Sequence, residues 1–237
     1  MRVIERWRYP VKSLQGERLE SVSVNRSGFA GDRQFAIYDL ATGFGLTGRR
    51  VPELLFASAR LLDDGSAEIT LPDGSIGADD EALSAWLGRP VALRSAAADA
   101  VRRYENVVDF EQEPISDWTP FDGAAGAFHD SAGARVSFVS TATIGSWQPR
   151  RFRSNVLLEG EGEDAIVGSK AVLGGAKFDV GMRIQRCVMV TRPQPGGIER
   201  DLSVLRTIAR DRDACLAIGA VVETPGDIRV GDVLTPA

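Results

Sequence analysis

Polar and apolar positions alternate over residues 2–9, with Val3, Glu5, Trp7 and Tyr9 on one side and Arg2, Ile4, Arg6 and Arg8 on the other. That is the period of a strand, and Pro10 ends it. Similar short runs predict strands over 19–24 and 34–39, and a pair over 56–62 and 67–71 joined by Asp63-Asp64-Gly65-Ser66 as a hairpin. The period lengthens at 79–87, where Leu83, Trp86 and Leu87 recur at helical spacing before the Gly88-Arg89-Pro90 stop. Residues 95–134, rich in Ala, Asp, Gly and Pro, carry no sustained period and predict a linker with long loops. Beyond them the pattern predicts strands over 151–158, 176–180, 183–191, 214–223 and 230–234. A helix over 201–212 turns Leu202, Leu205 and Ala209 inward. There is no internal repeat.

Many short strands with Gly and Asp turns predict a mostly β fold with a few helices and a closed or partly closed, barrel-like sheet. The expected organisation is two units: a small β-rich unit with one helix over 1–97, and a second over 98–237 whose first part, 98–134, is linker and loops. The length of 237 residues is enough for a sizeable core in either unit.

Charge and composition narrow the function. A formal net charge of −5 argues against a general affinity for nucleic acid, which needs a basic footprint. Arg2, Glu5 and Arg6 stand where a signal peptide would need apolar residues, and no apolar run approaches the roughly 18 residues of a membrane span. The expected location is cytoplasmic, with no membrane partner. Two cysteines, Cys187 and Cys215, make neither a disulfide framework nor a Cys-rich zinc site, and His129 is the one histidine. Any metal must arrive mostly pre-ligated, inside a cofactor.

Three cation-bearing segments stand at strand ends: Tyr9-Pro10-Val11-Lys12-Ser13, Gly31-Asp32-Arg33 and Thr47-Gly48-Arg49-Arg50. If they converge, they suit a phosphate, because Arg offers a planar fork and Lys a point charge; otherwise they are solvated or paired with Glu17 and Asp32. On a strand, Arg151, Arg153 and Asn155 share a face opposite Phe152, which needs an anion if buried and is an ordinary exposed face if not. Arg186-Cys187-Val188-Met189 reads as the late part of a strand ahead of Pro193-Gln194-Pro195-Gly196-Gly197. A thiolate at such an open end is a donor for a soft, redox-active metal, whereas a buried Cys187 would be a small hydrophobe. Cys215, in Ala214-Cys215-Leu216-Ala217-Ile218, reads as core packing, and His129 as a loop histidine with no nucleophile near it in sequence.

In this order the motifs resemble the MOSC superfamily with its N-terminal β-barrel domain. The first half carries Tyr9-Pro10-Val11-Lys12-Ser13, Gly31-Asp32-Arg33 and Thr47-x-Arg49-x-x-Pro52. The second carries Arg151-Phe152-Arg153-x-Asn155, Arg186-Cys187 and the closing 226–232 segment. The resemblance implies a MOSC N-terminal β-barrel-like domain over 1–97, a MOSC domain over 98–237, and a molybdenum–molybdopterin cofactor. It implies that Lys12, Ser13 and Arg33 hold the pterin and its phosphate, that Ser140 and Thr143 line the cofactor, that Arg153 touches it, and that Cys187 is the molybdenum ligand. Arg49, Arg151, Asn155 and Arg186 complete the expected cofactor-binding set.

Similarity to the amidoxime-reducing members of this superfamily implies a molybdenum-dependent reductase that cleaves N–O bonds of small N-hydroxylated molecules. No Cys-x4-Cys-x2-Cys ferredoxin segment follows, so the expected electron donor is a separate protein of the ferredoxin or flavin reductase type. Ser154 replaces the usual proline of Arg-Phe-Arg-Pro-Asn, and the turn after Cys187 reads Thr191-Arg192-Pro193-Gln194, which bears on the substrate side. Two other functions compete: a non-catalytic carrier of cofactor or of sulfur as a Cys187 persulfide, and a small hydrolase using Cys187 and His129.

Overall fold

The computed structural model describes residues 1–77, 79–97 and 102–237. The expected boundary between 97 and 98 falls at residues outside this set. Eight strands form the main sheet, in the spatial order Thr235–Pro236, Ser169–Leu173, Ala176–Gln185, Cys215–Thr224, Val136–Ser140, Val156–Glu159, Arg2–Arg8 and Glu17–Arg18. The first strand of the chain therefore joins the sheet of the second half, pairing antiparallel with Val156–Glu159 from Arg2↔Glu159 to Arg6↔Val156. In return Gly226–Arg229, near the C-terminus, pairs with Ser21–Asn25. One apolar core follows from this exchange: Val3, Val22, Val24 and Phe29 pack with Phe138, Val156, Phe178, Ile218 and Ile228.

A second core, built on Val11, Leu14, Ile37, Leu54, Ile69 and Leu83, belongs to the first half alone. Its helix α1, Asp80–Leu87, starts where the Asp79 carboxylate accepts the Ala82 N–H at 2.8 Å and stops at Gly88, whose φ of 64° the missing Cβ permits. After the four-residue α2, Thr141–Ile144, the longest helix is α3, Leu202–Arg212. It is capped by Asp201 accepting from the Ser203 N–H and lays Val204, Leu205 and Ile208 on a third core with Val139, Phe152, Val190 and Leu216. No helix among the described residues is long and apolar enough to cross a membrane.

Several local readings need correction. The strands expected over 176–180 and 183–191 are one strand, Ala176–Gln185, which ends before Cys187; Val188–Thr191 is a 3-10 turn with Cys187 at its N-cap. The strand expected from 151 begins only at Val156, because Pro149–Phe152 forms a 3-10 turn and Arg153 is left-handed at φ 52°. Arg151, Arg153 and Asn155 thus share no strand face. Residues 56–62 shrink to Ser58–Leu61 behind the 3-10 turn Pro52–Phe56, and in place of the strand expected over 230–234 there are strands at Gly226–Arg229 and Thr235–Pro236, with Val230 and Val233 exposed.

The segment read as linker and loops holds a hairpin, Arg103–Val107 with Trp118–Asp122, whose ten-residue connection lacks a short turn signature. Val136–Ser140 went unread because all five residues are buried and the run has no alternation. Cys215 is half-buried rather than core, since it opens its strand beside the left-handed Asp213 and Ala214.

Candidate functional site

A cleft between the halves gathers loops from both. Lys12, Ser13, Arg33 and Arg49 enter from the first half, and His129, Asp130, Arg151, Arg153, Asn155, Arg186 and Cys187 from the second. The convergence is held by backbone in sparsely populated conformations. Ser13, Arg33 and Arg153 are all left-handed, at φ 69°, 49° and 52°, a conformation that persists in non-glycine residues only where the surroundings impose it. The Ser13 hydroxyl accepts the Gly48 N–H at 3.0 Å, tying the Lys12 loop to the Arg49 loop. A Cβ on Gly48 would stand 3.1 Å from Leu55 and 3.3 Å from the Met189 sulfur, so this glycine lets the Arg49 loop close on the turn that carries Cys187.

Cys187 is half-buried, and its Sγ accepts a hydrogen bond from Arg49 Nε at 3.2 Å. The same guanidinium donates through Nη2 to the Asp130 carboxylate, whose other oxygen takes Lys12 Nζ. Lys12 also donates to the Phe128 carbonyl at 2.9 Å and lies 4.4 Å from the Tyr104 ring centre. Burial pulls the Lys12 pKa down against the opposing pull of Asp130. For Asp130 burial acts upward, but Arg49 and Lys12 outweigh it and hold the acid well below the usual carboxylate range. Burial likewise works against the Arg49 charge, and Asp130 and Cys187 together overcome it, so the group is held above its ordinary value. Lys12 and Arg49 therefore spend their charge on a partly exposed carboxylate of the chain itself.

A second arginine pair surrounds Tyr9, which is 2% exposed. Arg33 and Arg153 lie 4.5 and 4.3 Å from its ring centre, so the ring serves as their platform. Arg33 pairs with Asp32 and donates to the Arg153 carbonyl at 3.0 Å, while Asp32 also accepts the Tyr9 N–H at 2.8 Å and Asn155 Nδ2 at 3.0 Å. Asn155 is thereby a tie between the halves. Arg151 donates to the carbonyls of Val190 at 3.2 Å and Glu199 at 2.7 Å, which fixes the turn after Cys187.

Arg153 Nη1 and Arg186 Nη2 are buried without a partner, and neither guanidinium has an ion pair among the described residues. Burial lowers each to about 10. Both side chains line the cleft, Arg153 buried and Arg186 half-buried, and a buried donor without a partner is costly unless an anion completes it. His129 is pushed down to about 3, chiefly by burial, and is neutral at physiological pH.

Nine of the eleven residues expected to hold the cofactor or its metal thus share the cleft. Ser140 and Thr143 do not line it: the Ser140 hydroxyl caps α2 by accepting the Thr143 N–H at 3.2 Å, and the Ser140 N–H donates to Glu163 at 3.0 Å. Sequence reasoning offered Asp32 as an ion-pair partner, and it pairs with Arg33, but it missed Asp130 and the role of Tyr9; Asp130 was visible only as the neighbour of His129, and Tyr9 only as a strand end.

Fold and site together define a mostly β protein with a cation-lined cleft and a thiol in its wall. Residues 1–112 match the MOSC N-terminal beta barrel domain and residues 128–235 the MOSC domain, and the chain belongs to the MOSC domain proteins. That family is associated with binding of the molybdenum cofactor and includes molybdenum-cofactor-associated enzymes. No curated protein matches the chain. Among solved structures, the YuaD protein of Bacillus subtilis is similar over 98% of this chain and 93% of its own, with 11% identity and a TM-score of 0.44. YiiM from Geobacillus stearothermophilus is similar over 44% of this chain and 54% of its own, with 18% identity and a TM-score of 0.36.

Proposed function

We propose that the cleft binds a molybdenum–pterin cofactor with Cys187 as the metal's protein ligand, and that the protein reduces N-hydroxylated small molecules. The observation that carries this reading is the pair of unpartnered donors on Arg153 and Arg186 in the same cleft as the Cys187 sulfur. They fit the phosphate of such a cofactor, and the thiol fits its soft metal. When bound, the cofactor supplies two-electron chemistry: R–NH–OH, two electrons and two protons give R–NH2 and water. The electrons come from a separate ferredoxin-type or flavin-type protein. Within the chain, Arg33 and Arg153 bind the anionic end, held in place by the Tyr9 ring. Arg49 orients the Cys187 sulfur, and Arg151 fixes the turn behind it.

The hydrolase alternative loses ground, because the partner of Cys187 is Arg49 and the buried His129, pushed down to about 3, is a weak base. The test is pterin and molybdenum content together with benzamidoxime reduction by an artificial donor, in the parent and in Cys187→Ser. The variant is expected to keep pterin and lose turnover per molybdenum. Full turnover in that variant would overturn the ligand assignment, and cyanide-labile sulfur on Cys187 without reduction would point to a sulfur carrier instead.

A further inference from the structure

Behind Cys187 lies a second cavity, of about 360 Å³, between α3 and the hairpin Arg103–Val107/Trp118–Asp122. It shares only Arg49, Gln185, Arg186 and Cys187 with the cationic cleft. Two of its sides are apolar: Val107, Phe110 and Phe121 come from the hairpin and its connection, and Val188, Leu205 and Ala209 from the turn after Cys187 and from α3. Among the described residues lining it there is no carboxylate, and its two charged groups, Arg49 and Arg186, are both cations. The Arg49 guanidinium lies 5.2 Å from the Phe121 ring centre. Its Nε and Nη2 are taken by Cys187 and Asp130, whereas its Nη1 has no hydrogen-bond partner among the described residues.

An enclosure of this size, apolar on two sides with a few polar groups at one end, is the build of a small-molecule site. Charge decides what it takes. Its polar end carries positive charge and a free donor with no acid to answer them, so a cationic guest is repelled and a neutral one leaves the donor unmatched. A phosphate ester or dicarboxylate brings more charge than walls of Phe, Val and Leu can solvate. We infer that this cavity is a second ligand site, separate from the cleft, for small monocarboxylates with an apolar body. The carboxylate takes Arg49 in the field of Arg186, and the apolar body lies between Phe110 and Phe121 on one side and Leu205 and Ala209 on the other. Its occupant is a ligand and not a reactant, because the wall that carries Cys187 separates it from the cleft. The site is therefore independent of what fills the cleft and of the function proposed above.

The probe is hexanoate, followed by saturation-transfer NMR and calorimetry on the full chain without cofactor. The parent should bind one hexanoate, with propionate about tenfold or more weaker because three methylenes leave the apolar walls, and with no detectable binding of hexylamine. Saturating pyrophosphate, which competes for the cations of the cleft, should leave hexanoate bound. Ala209 is exposed on α3 and lines the cavity, so Ala209→Trp fills it from the helix surface. That variant should bind hexanoate about tenfold or more weakly and pyrophosphate as the parent does. Asn106, exposed at the rim, gives the charge test: Asn106→Asp should weaken hexanoate about threefold at low salt and leave hexanol unchanged. Displacement of hexanoate by pyrophosphate, undiminished binding in Ala209→Trp, equal losses of hexanol and hexanoate in Asn106→Asp, or hexylamine binding as tightly as hexanoate would each overturn the inference, as would a parent that binds no hexanoate. None of these results bears on molybdenum at Cys187, which the metal and turnover measurements test separately.

Discussion

The neutral, buried His129 makes a quantitative prediction about acid stability. Its pKa stands at about 3 in the fold against an ordinary 6.5, chiefly through burial, and its Nε2 has no partner. Between those values the unfolded chain binds a proton that the folded chain refuses, so stability must fall as pH drops from 6.5 towards 3. At pH 4 the histidine should cost about 3 kcal/mol relative to pH 7.5, from 1.36 kcal/mol per pH unit. Replacing it by leucine removes the titrating group while keeping an apolar filling, and the backbone N–H bond to the Ala127 carbonyl is retained. The assay is thermal unfolding of parent and His129→Leu at pH 7.5 and pH 4. Near pH 7.5 the two should differ by about 1 kcal/mol or less, because the lost group had no partner to lose. At pH 4 the variant should unfold roughly 6–12 °C higher than the parent, at about 2–4 °C per kcal/mol for a domain of this size. A difference that does not change with pH would refute the claim that burial keeps this ring neutral, and would return His129 to the list of candidate bases.

Asp130→Asn should destabilise the protein by about 2 kcal/mol, less than a fully buried pair because the Asp130 side chain is 43% exposed, yet tighten pyrophosphate binding by freeing Lys12 and Arg49. Calorimetry at two salt concentrations checks both, and weaker pyrophosphate binding would mean that Asp130 serves to organise the cations. Since the Asp130 acid is held below its usual range, its contribution is present above pH ~4 and lost as pH falls further, a window below most of that of His129. Arg153→Ala should weaken pyrophosphate binding about tenfold or more, and Tyr9→Leu should reproduce part of that loss by removing the ring beneath Arg33 and Arg153; unaltered binding in both would exclude the Tyr9 platform.

Much of this protein can be read from its order of residues. The helices at Asp80–Leu87 and Leu202–Arg212 begin and end within a residue of the expected limits, because capping acts within one or two turns of chain, but the second turns Val204, Leu205 and Ile208 inward rather than Leu202, Leu205 and Ala209. The cations also announced themselves: Lys12, Arg33, Arg49, Arg153 and Arg186 stand out by residue type, and Cys187 by being a thiol beside a turn. Their environment did not. The Pro149–Phe152 turn and the left-handed Arg153 overrode a local pattern that suits a strand, since what aims that side chain is contact with Tyr9, 144 positions earlier. The hairpin that walls the second cavity hid in a segment without period, because its connection is long and its exposed faces are polar. Asp130 shows the division most plainly. As a residue it is one acid among many, and its role arises only where the fold brings Lys12 and Arg49, 118 and 81 positions away, onto its two oxygens. Local propensity and spacing are written along the chain, whereas charge pairing, burial and the unpartnered donors of Arg153 and Arg186 depend on distances that no local pattern encodes and only packing sets.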